Sequence, residues 1–313
     1  MGAGSPKNKE MVEKLKKIFT QRGYLANCLI NIFPFLFSDK FCIKTRWKFS
    51  MGDLKLDLKN PRTYNEKLQW LKLYDHNPEY HRMVDKVEAK KWVAEKMGTD
   101  DIIIPTIAVY DRVEDIDWEA LPQQFVIKCN HNSNCAVIVK DKSLLNIEKA
   151  MNKLRQGLQE NYFYAAREWP YKGVKPRILV EQYLEEKKSS ELKDYKFFCF
   201  NGECKVMYIV TGRQNAGQTY SDYFDMNFTH LPIRQDHPNS PASVLMPENF
   251  DRMKEIAARL SKGIPQVRVD LYEVSRKVYF GEMTFFPNGG FMPFEPSEWN
   301  STFGDWISLP QNN

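Results

Sequence analysis

Three pairs of short runs rich in Val, Ile and aromatic residues, each pair joined by a brief polar turn, constrain this chain most. They are FVIKCN with AVIVK, KDYKFFCF with ECKVMYIV, and VRVDLYE with KVYFGEMTFF. Such runs, bounded by turn residues, predict strands, and Asn201-Gly202 between the middle pair is a strong two-residue hairpin signal. IIIPTIAVY (102–110) and RILVEQYL (177–184) read as further strands.

Helical patterns lie between these runs. In NPRTYNEKLQWLKLYD, Thr63 and Glu66 form a capping box, so a helix starts near Tyr64. A single helix is expected over about 83–97, carrying Lys86, Lys90 and Lys91 and ending at Gly98. Another covers about 144–158, and NFDRMKEIAARLSKG places Phe250, Met253, Ile256, Ala257 and Leu260 on one face. Antiparallel hairpins alternating with single helices predict an α+β class rather than a run of regular βαβ units.

With 313 residues, 42% of them hydrophobic, the chain can bury a sizeable core and suggests two or three subdomains. A formal charge of +5 suits anionic small molecules or a negative membrane face and is too mild to argue for nucleic acid. Six cysteines without a CxxC pair predict reduced thiols and a cytoplasmic setting, with Cys199 and Cys204 facing each other across the hairpin turn. The longest apolar run, YLANCLINIFPFLF (24–37), is too short and too proline-interrupted to span a bilayer, which leaves an interfacial helix open.

The chemistry concentrates in VRVDLYEVSRKVYFGEMTFFPNGG. Asp270 and Glu282 sit at corresponding places on two strands joined by a tight turn, so both carboxylates can share one face and hold magnesium against nucleotide phosphates, with Arg268 beside them. On spacing alone, solvent-face residues paired with Arg268 or Lys277 is an equal reading. Lys128, set among Phe125, Val126 and Ile127, needs an anionic partner, and a phosphate would serve. The polar loop after it, Asn130, His131, Asn132, Ser133 and Asn134, has the layout of a phosphate loop without glycine, where Asn132 and Asn134 can adopt left-handed backbone. A plain hairpin turn is the alternative. Glu181, at the end of RILVEQYL, is read either as a nucleotide contact or as a surface carboxylate.

Taken in order, DKVEAK, FVIKCNHNSN, RILVEQYL, the DYKFFCF hairpin, and VRVDLYE with GEMTFF resemble the ATP-grasp ligases. More closely, NPRTYNEKLQWLKLYD, DKVEAKKWV, LPQQFVIKCNH, REWPYKGVKPRILVEQYL and DYKFFCFNGE are similar to the TupA-like ATP-grasp family, associated with teichuronopeptide and capsular polysaccharide biosynthesis. The resemblance implies an ATP-grasp fold in which two α+β subdomains grip ATP, here behind an N-terminal helical extension. The implied divisions are 1–60 (extension), 61–122 (region before the grasp), 123–184 (phosphate loop and lid) and 185–313 (metal and nucleotide site).

It also implies roles. Lys90 and Lys128 would contact ATP phosphates, and Asn130 to Asn134 would form the mobile phosphate loop. Glu181, Gln182, Tyr183 and Leu184 would form the adenine linker, and Asp194 or Lys196 would reach ribose or phosphate. Arg268 would be catalytic with Lys128, and Asp270 and Glu282 would hold Mg2+. Thr284 stands where many ATP-grasp enzymes have a third metal ligand, asparagine, and Asn288 follows in the next loop. The implied reaction phosphorylates a carboxylate and joins it to an amine.

The acceptor side rests on less. Arg167, Trp169 and Tyr171 in REWPYKGVKPR have the makings of a sugar- or carboxylate-binding lid, and Arg213 and Asn288 are further substrate candidates, with surface charge as an equal reading for the arginines. The expected partners are a uronic acid sugar or glycan and an amine, with no nucleic acid, at a cytoplasmic location that includes peripheral contact with the inner membrane face. Two other readings remain: a glycosyltransferase, on the Asp115-Ile116-Asp117 pattern, and an ATP-binding scaffold that has lost catalysis.

Overall fold

The computed structural model describes residues 24–133, 135–186, 192–212 and 219–311. It opens with α1 (Tyr24–Ile32) and α2 (Asp39–Ser50), the latter capped by Ser38, whose Oγ accepts the Phe41 N–H at 3.3 Å. Next comes α3 (Tyr64–Tyr74), entered through the expected capping box of Thr63 and Glu66. The helix expected over 83–97 is instead two, α4 (Glu79–Val84) and α5 (Glu88–Met97). Asp85 is the reason: its Oδ1 accepts the N–H groups of Val87 at 2.9 Å and Glu88 at 3.3 Å, satisfying donors at the start of α5 with a side chain from the break. Gly98 ends α5 in left-handed backbone, as expected.

The first sheet has four antiparallel strands, β1 (Thr106–Tyr110), β2 (Phe125–Cys129), β3 (Val137–Val139) and β4 (Ile178–Gln182), in the order β1-β4-β2-β3. The run 102–110 thus yields a strand only after Pro105, while Ile102 turns aside and its carbonyl accepts the Phe280 N–H at 2.7 Å. Helix α6 (Ile147–Gln159) covers one face, burying Leu154 against Phe125, Ile127, Ile178 and Val180, and the short α7 (Phe163–Ala166) follows. Gly157 lies where α6 crosses the Cys129 and Cys135 sulfurs, which are 2.7 Å apart, and a Cβ there would clash with both.

The second sheet contains β5 (Asp194–Phe200), β6 (Glu203–Thr211), β7 (Tyr220–Asp225), β8 (His230–Leu231), β9 (Val267–Val274) and β10 (Lys277–Thr284), in the order β10-β9-β5-β6-β7-β8. Asn201 and Gly202 turn β5 into β6 with positive φ at both, as the two-residue hairpin requires. Across it Cys199 and Cys204 face each other as free thiols with sulfurs 3.0 Å apart. Helix α8 (Phe250–Ser261) buries Phe250, Met253, Ile256 and Leu260 against this sheet, each contributing about 1.5–3 kcal/mol. Helix α9 (Glu298–Trp306) closes the core, which also takes the apolar sides of α3, α4 and α5. Residues 64–97 therefore share a core with the second sheet although they precede the first in sequence.

Candidate active site

The turn Ser275-Arg276, with φ of 50° and 65°, sets the register of β9 on β10. A bulge between Phe280 and Glu282 then brings Glu282 directly opposite Asp270, and Thr284 opposite Arg268. Gly281 permits the bulge, because a Cβ there would lie 3.0 Å from the Asp270 carbonyl. Four candidate side chains thus form two neighbouring cross-strand pairs.

Asp270 is the buried centre of this group. Arg268 donates from Nε to Oδ1 at 2.6 Å and from Nη2 to Oδ2 at 2.7 Å, and Lys196, opposite Asp270 on β5, pairs with Oδ2 as well. Burial alone would raise the Asp270 carboxyl, but Arg268 and Lys196 outweigh it and hold the group below the ordinary aspartate range. Arg268 also donates to the Tyr208 hydroxyl at 3.1 Å and to Thr284 Oγ1 at 3.0 Å, and lies 3.7 Å from Glu282 Oε1. Lys196 stands 3.6 Å from Asp194. Glu282 differs from its partner, since 42% of its side chain is exposed.

A second cluster lies on the first sheet. Glu181 on β4 is opposite Val126 and accepts from two lysines, Lys90 at 2.6 Å and Lys128. Lys90 also donates to the Ile104 carbonyl at 2.7 Å and Thr106 Oγ1 at 2.9 Å. Burial would raise Glu181, yet Lys128 and Lys90 hold it below the usual carboxylate range. Gln182 ends β4, and Tyr183 and Leu184 follow, half-buried, on the connection toward β5.

Lys86 is a further cation bonded to the loop after Lys128, and the sequence pattern does not single it out. Its Nζ donates to the Asn132 carbonyl at 2.6 Å; burial lowers its pKa, while Glu282, Lys128 and Glu181 are among the charges it feels most. Nothing in DKVEAKK distinguishes it from Lys90 by spacing.

The loop after Lys128 is held from inside. Asn130 Oδ1 accepts the Arg177 N–H at 2.7 Å, its Nδ2 donates to the Lys175 carbonyl at 3.0 Å, and its own carbonyl accepts the Lys86 N–H at 3.1 Å. His131 is bonded to Asn130 and to the Glu160 carbonyl, and Asn132 donates to Glu160 Oε2 at 2.9 Å. Asn130, His131 and Asn132 are buried, and Asn132 lacks the left-handed backbone expected of it. Side-chain anchors replace glycine here; Ser133 bonds outward to the Tyr162 hydroxyl at 3.1 Å. Asn134 and Arg213 lie outside the described residues.

The lid candidates separate. Trp169 stacks on His76 at 4.0 Å and Tyr171 meets Tyr162 edge-on at 4.7 Å. Arg167 is 2% exposed and turned away to the N-terminal helices, donating to Asp39 at 3.1 Å, to Cys42 Sγ at 2.9 Å and to the Pro34 carbonyl. Asn288, exposed, has a φ of 52° and lies 3.4 Å from Gln235. The loop holding it, Pro287–Gly290, is clamped by one stripe of α3: Asn65 and Gln69 donate to the Gly290 carbonyl at 3.1 and 2.8 Å, and Lys72 to that of Gly289.

A sequence-family model described as TupA-like ATPgrasp matches residues 66–308. No curated protein matches the chain. Among solved structures, D-alanine–D-alanine ligase from Bacillus anthracis complexed with ATP is 14% identical, with a TM-score of 0.39 over 65% of this chain and 55% of that one. The Helicobacter pylori ligase is 13% identical, with a TM-score of 0.42 over 79% and 69%. D-cycloserine synthetase DcsG is 16% identical, with a TM-score of 0.39 over 73% and 70%. The chain spans little more than half the length of the first of these.

Proposed function

This chain belongs to the TupA-like ATP-grasp family, and we propose that it is an ATP-dependent carboxylate–amine ligase acting on a uronic acid sugar or glycan of a capsular or cell-surface polysaccharide. The observation that carries the proposal is the pairing of Asp270 with Glu282 beside Arg268 on the second sheet, together with the Lys90–Glu181–Lys128 cluster on the first.

The donor set suits a hard divalent cation. Two opposed carboxylates and a hydroxyl offer only oxygen, and magnesium is commonly held by one or two carboxylates plus substrate phosphates. Among the described residues no three His, Cys, Asp or Glu side chains form a metal cage, so the cation would depend on those phosphates. Asp270 has both oxygens on cations, which makes the half-exposed Glu282 the principal ligand, with Asp270 and Thr284 beside it.

ATP with magnesium supplies a phosphoryl group that converts the substrate carboxylate to an acyl phosphate, which the amine then attacks with loss of phosphate. The residues named here do the positioning. Lys86, Lys90 and Lys128 neutralise phosphate charge, Glu181 giving up its lysines as phosphate arrives, and Arg268, already locked on Asp270, is pre-aimed where charge develops. Trp169, Tyr171 and Asn288 flank the acceptor side.

The glycosyltransferase reading loses support because Asp117 caps its own turn, its Oδ1 accepting the N–H groups of Glu119 at 3.2 Å and Ala120 at 3.1 Å. The test is magnesium-dependent ADP release against panels of uronic acids and amines, with products identified by mass spectrometry. ADP and amide formed only with both substrates, and lost in Glu282→Gln and Lys128→Ala, are expected. ATP binding without turnover for any pair would overturn the ligase reading in favour of the scaffold.

The proposal includes a cytoplasmic site of action against the inner membrane face. Ile32, Phe33, Phe35 and Leu36 are exposed together, with Lys40, Lys44 and Lys48 exposed on α2 beyond them, a composition that suits anionic lipid. No helix among the described residues is long and apolar enough to cross a membrane. Co-sedimentation with phosphatidylserine vesicles should be lost in Phe35→Asp/Leu36→Asp; equal sedimentation would rule the contact out.

A further inference from the structure

Glu168 is a nearly buried carboxylate whose compensating charge is Lys72. It is 5% exposed, and among the described residues its side chain accepts no hydrogen bond, although most buried polar side chains have at least one partner. The backbone before it is strained to put it there: Arg167 has a φ of 57°, costly for a non-glycine residue, and its guanidinium is pinned to Asp39, Cys42 and Pro34. With Arg167 fastened outward to the N-terminal helices, Glu168 is turned into the protein.

Its surroundings are those of the candidate active site. Ala166 packs on the loop after β10, where a Cβ at Gly289 would lie 2.9 Å from the Ala166 Cβ. Lys72, which holds the Gly289 carbonyl and donates to Gln69 Oε1 at 2.9 Å, is the compensating charge and makes no hydrogen bond to Glu168. Tyr162, on the same segment, bonds to Ser133 of the loop after Lys128 at 3.1 Å and meets Tyr171 edge-on at 4.7 Å, so residues 162–171 touch both loops. Burial drives Glu168 up to about 7 against the pull of Lys72, so the carboxyl can exchange a proton near neutrality.

We propose that Glu168 is the proton acceptor for the attacking amine, an assignment that rests on the ligase reading above. The amine nitrogen bonds to the carbonyl carbon of the acyl phosphate, the carbon–oxygen bond to phosphate breaks with its electron pair leaving on phosphate, and the N–H proton passes to a Glu168 oxygen. Arg167 acts through it as a positioning residue.

The test separates the two half-reactions, using the acid–amine pair that supports ADP release and replacing the amine by hydroxylamine. Hydroxylamine, largely neutral at pH 7, should trap the acyl phosphate as a hydroxamate without a base. In Glu168→Gln, amide formation should fall about 100-fold or more, hydroxamate formation should stay within about threefold, and Glu168→Asp should recover part of the amide rate. Amide formation at the wild-type rate in Glu168→Gln would overturn the assignment alone. Loss of both products with no recovery in Glu168→Asp would overturn it by making Glu168 structural. If wild type releases no ADP with any acid–amine pair, the ligase reading itself falls and takes this assignment with it.

Discussion

The hairpins β2–β3 and β9–β10 carry the two halves of the proposed ATP site and do so in opposite ways. In β9–β10 the functional groups are mid-strand, in register, and satisfied chiefly by one another and by Lys196 on the neighbouring strand. In β2–β3 the strands are short, and the connecting loop takes its shape from Lys86, Arg177 and Glu160, which arrive from three other elements. One hairpin is pre-organised by its own ladder, the other by what surrounds it. Substitutions should therefore act locally in the first and spread in the second.

The largest expected effect breaks the self-contained hairpin. Asp270→Ala leaves Arg268 and Lys196 buried without their anion and should cost about 3–5 kcal/mol, measurable by urea unfolding. A loss below about 1 kcal/mol would show that water already screens the pair.

Asn130→Ala should cost about 1–3 kcal/mol by leaving the Arg177 N–H and Lys175 carbonyl without partners. Unlike a change on β9–β10, it should also raise hydrogen exchange at Lys86 and Arg177, and unchanged exchange there would remove the contrast.

A third prediction uses pH. Burial lowers Lys72 to about 7 from its ordinary 10.5, so between those values the unfolded chain holds a proton that the folded one lacks. Stability from this group is reduced below about 7 and recovers as pH rises toward 10.5, by up to about 1.4 kcal/mol per unit. Wild type should gain on Lys72→Met over that window in paired unfolding curves; parallel curves would show that Lys72 is solvated.

The smallest effect is expected away from both hairpins. Asp115→Ala/Asp117→Ala should change stability by no more than about 0.5–1 kcal/mol and leave nucleotide turnover intact.

This contrast also explains what the sequence made legible. Alternation along VRVDLYE and KVYFGEMTFF makes Arg268, Asp270, Glu282 and Thr284 legible as candidates, but the turn register alone would set Asp270 opposite Gly281, and the bulge that brings Glu282 there is not legible in the spacing. The loop 130–133 was legible as a polar connection but not in its conformation, since its anchors are distant in sequence. The stripe Asn65, Gln69 and Lys72 is not legible in the sequence, because polar residues along a helix read as its solvent face. In REWPY, composition cannot tell that Arg167 faces the N-terminal helices and Glu168 the interior; that division follows from one left-handed residue.

The central claim is that the two hairpins share one ligand. Calorimetric binding of a non-hydrolysable ATP analogue with magnesium to wild type, Lys128→Ala, Glu282→Gln and the double variant tests it most directly. The account predicts weaker binding in each single variant and a coupling energy of about 0.5–3 kcal/mol between them. Strict additivity, or unchanged affinity in Glu282→Gln, would contradict it.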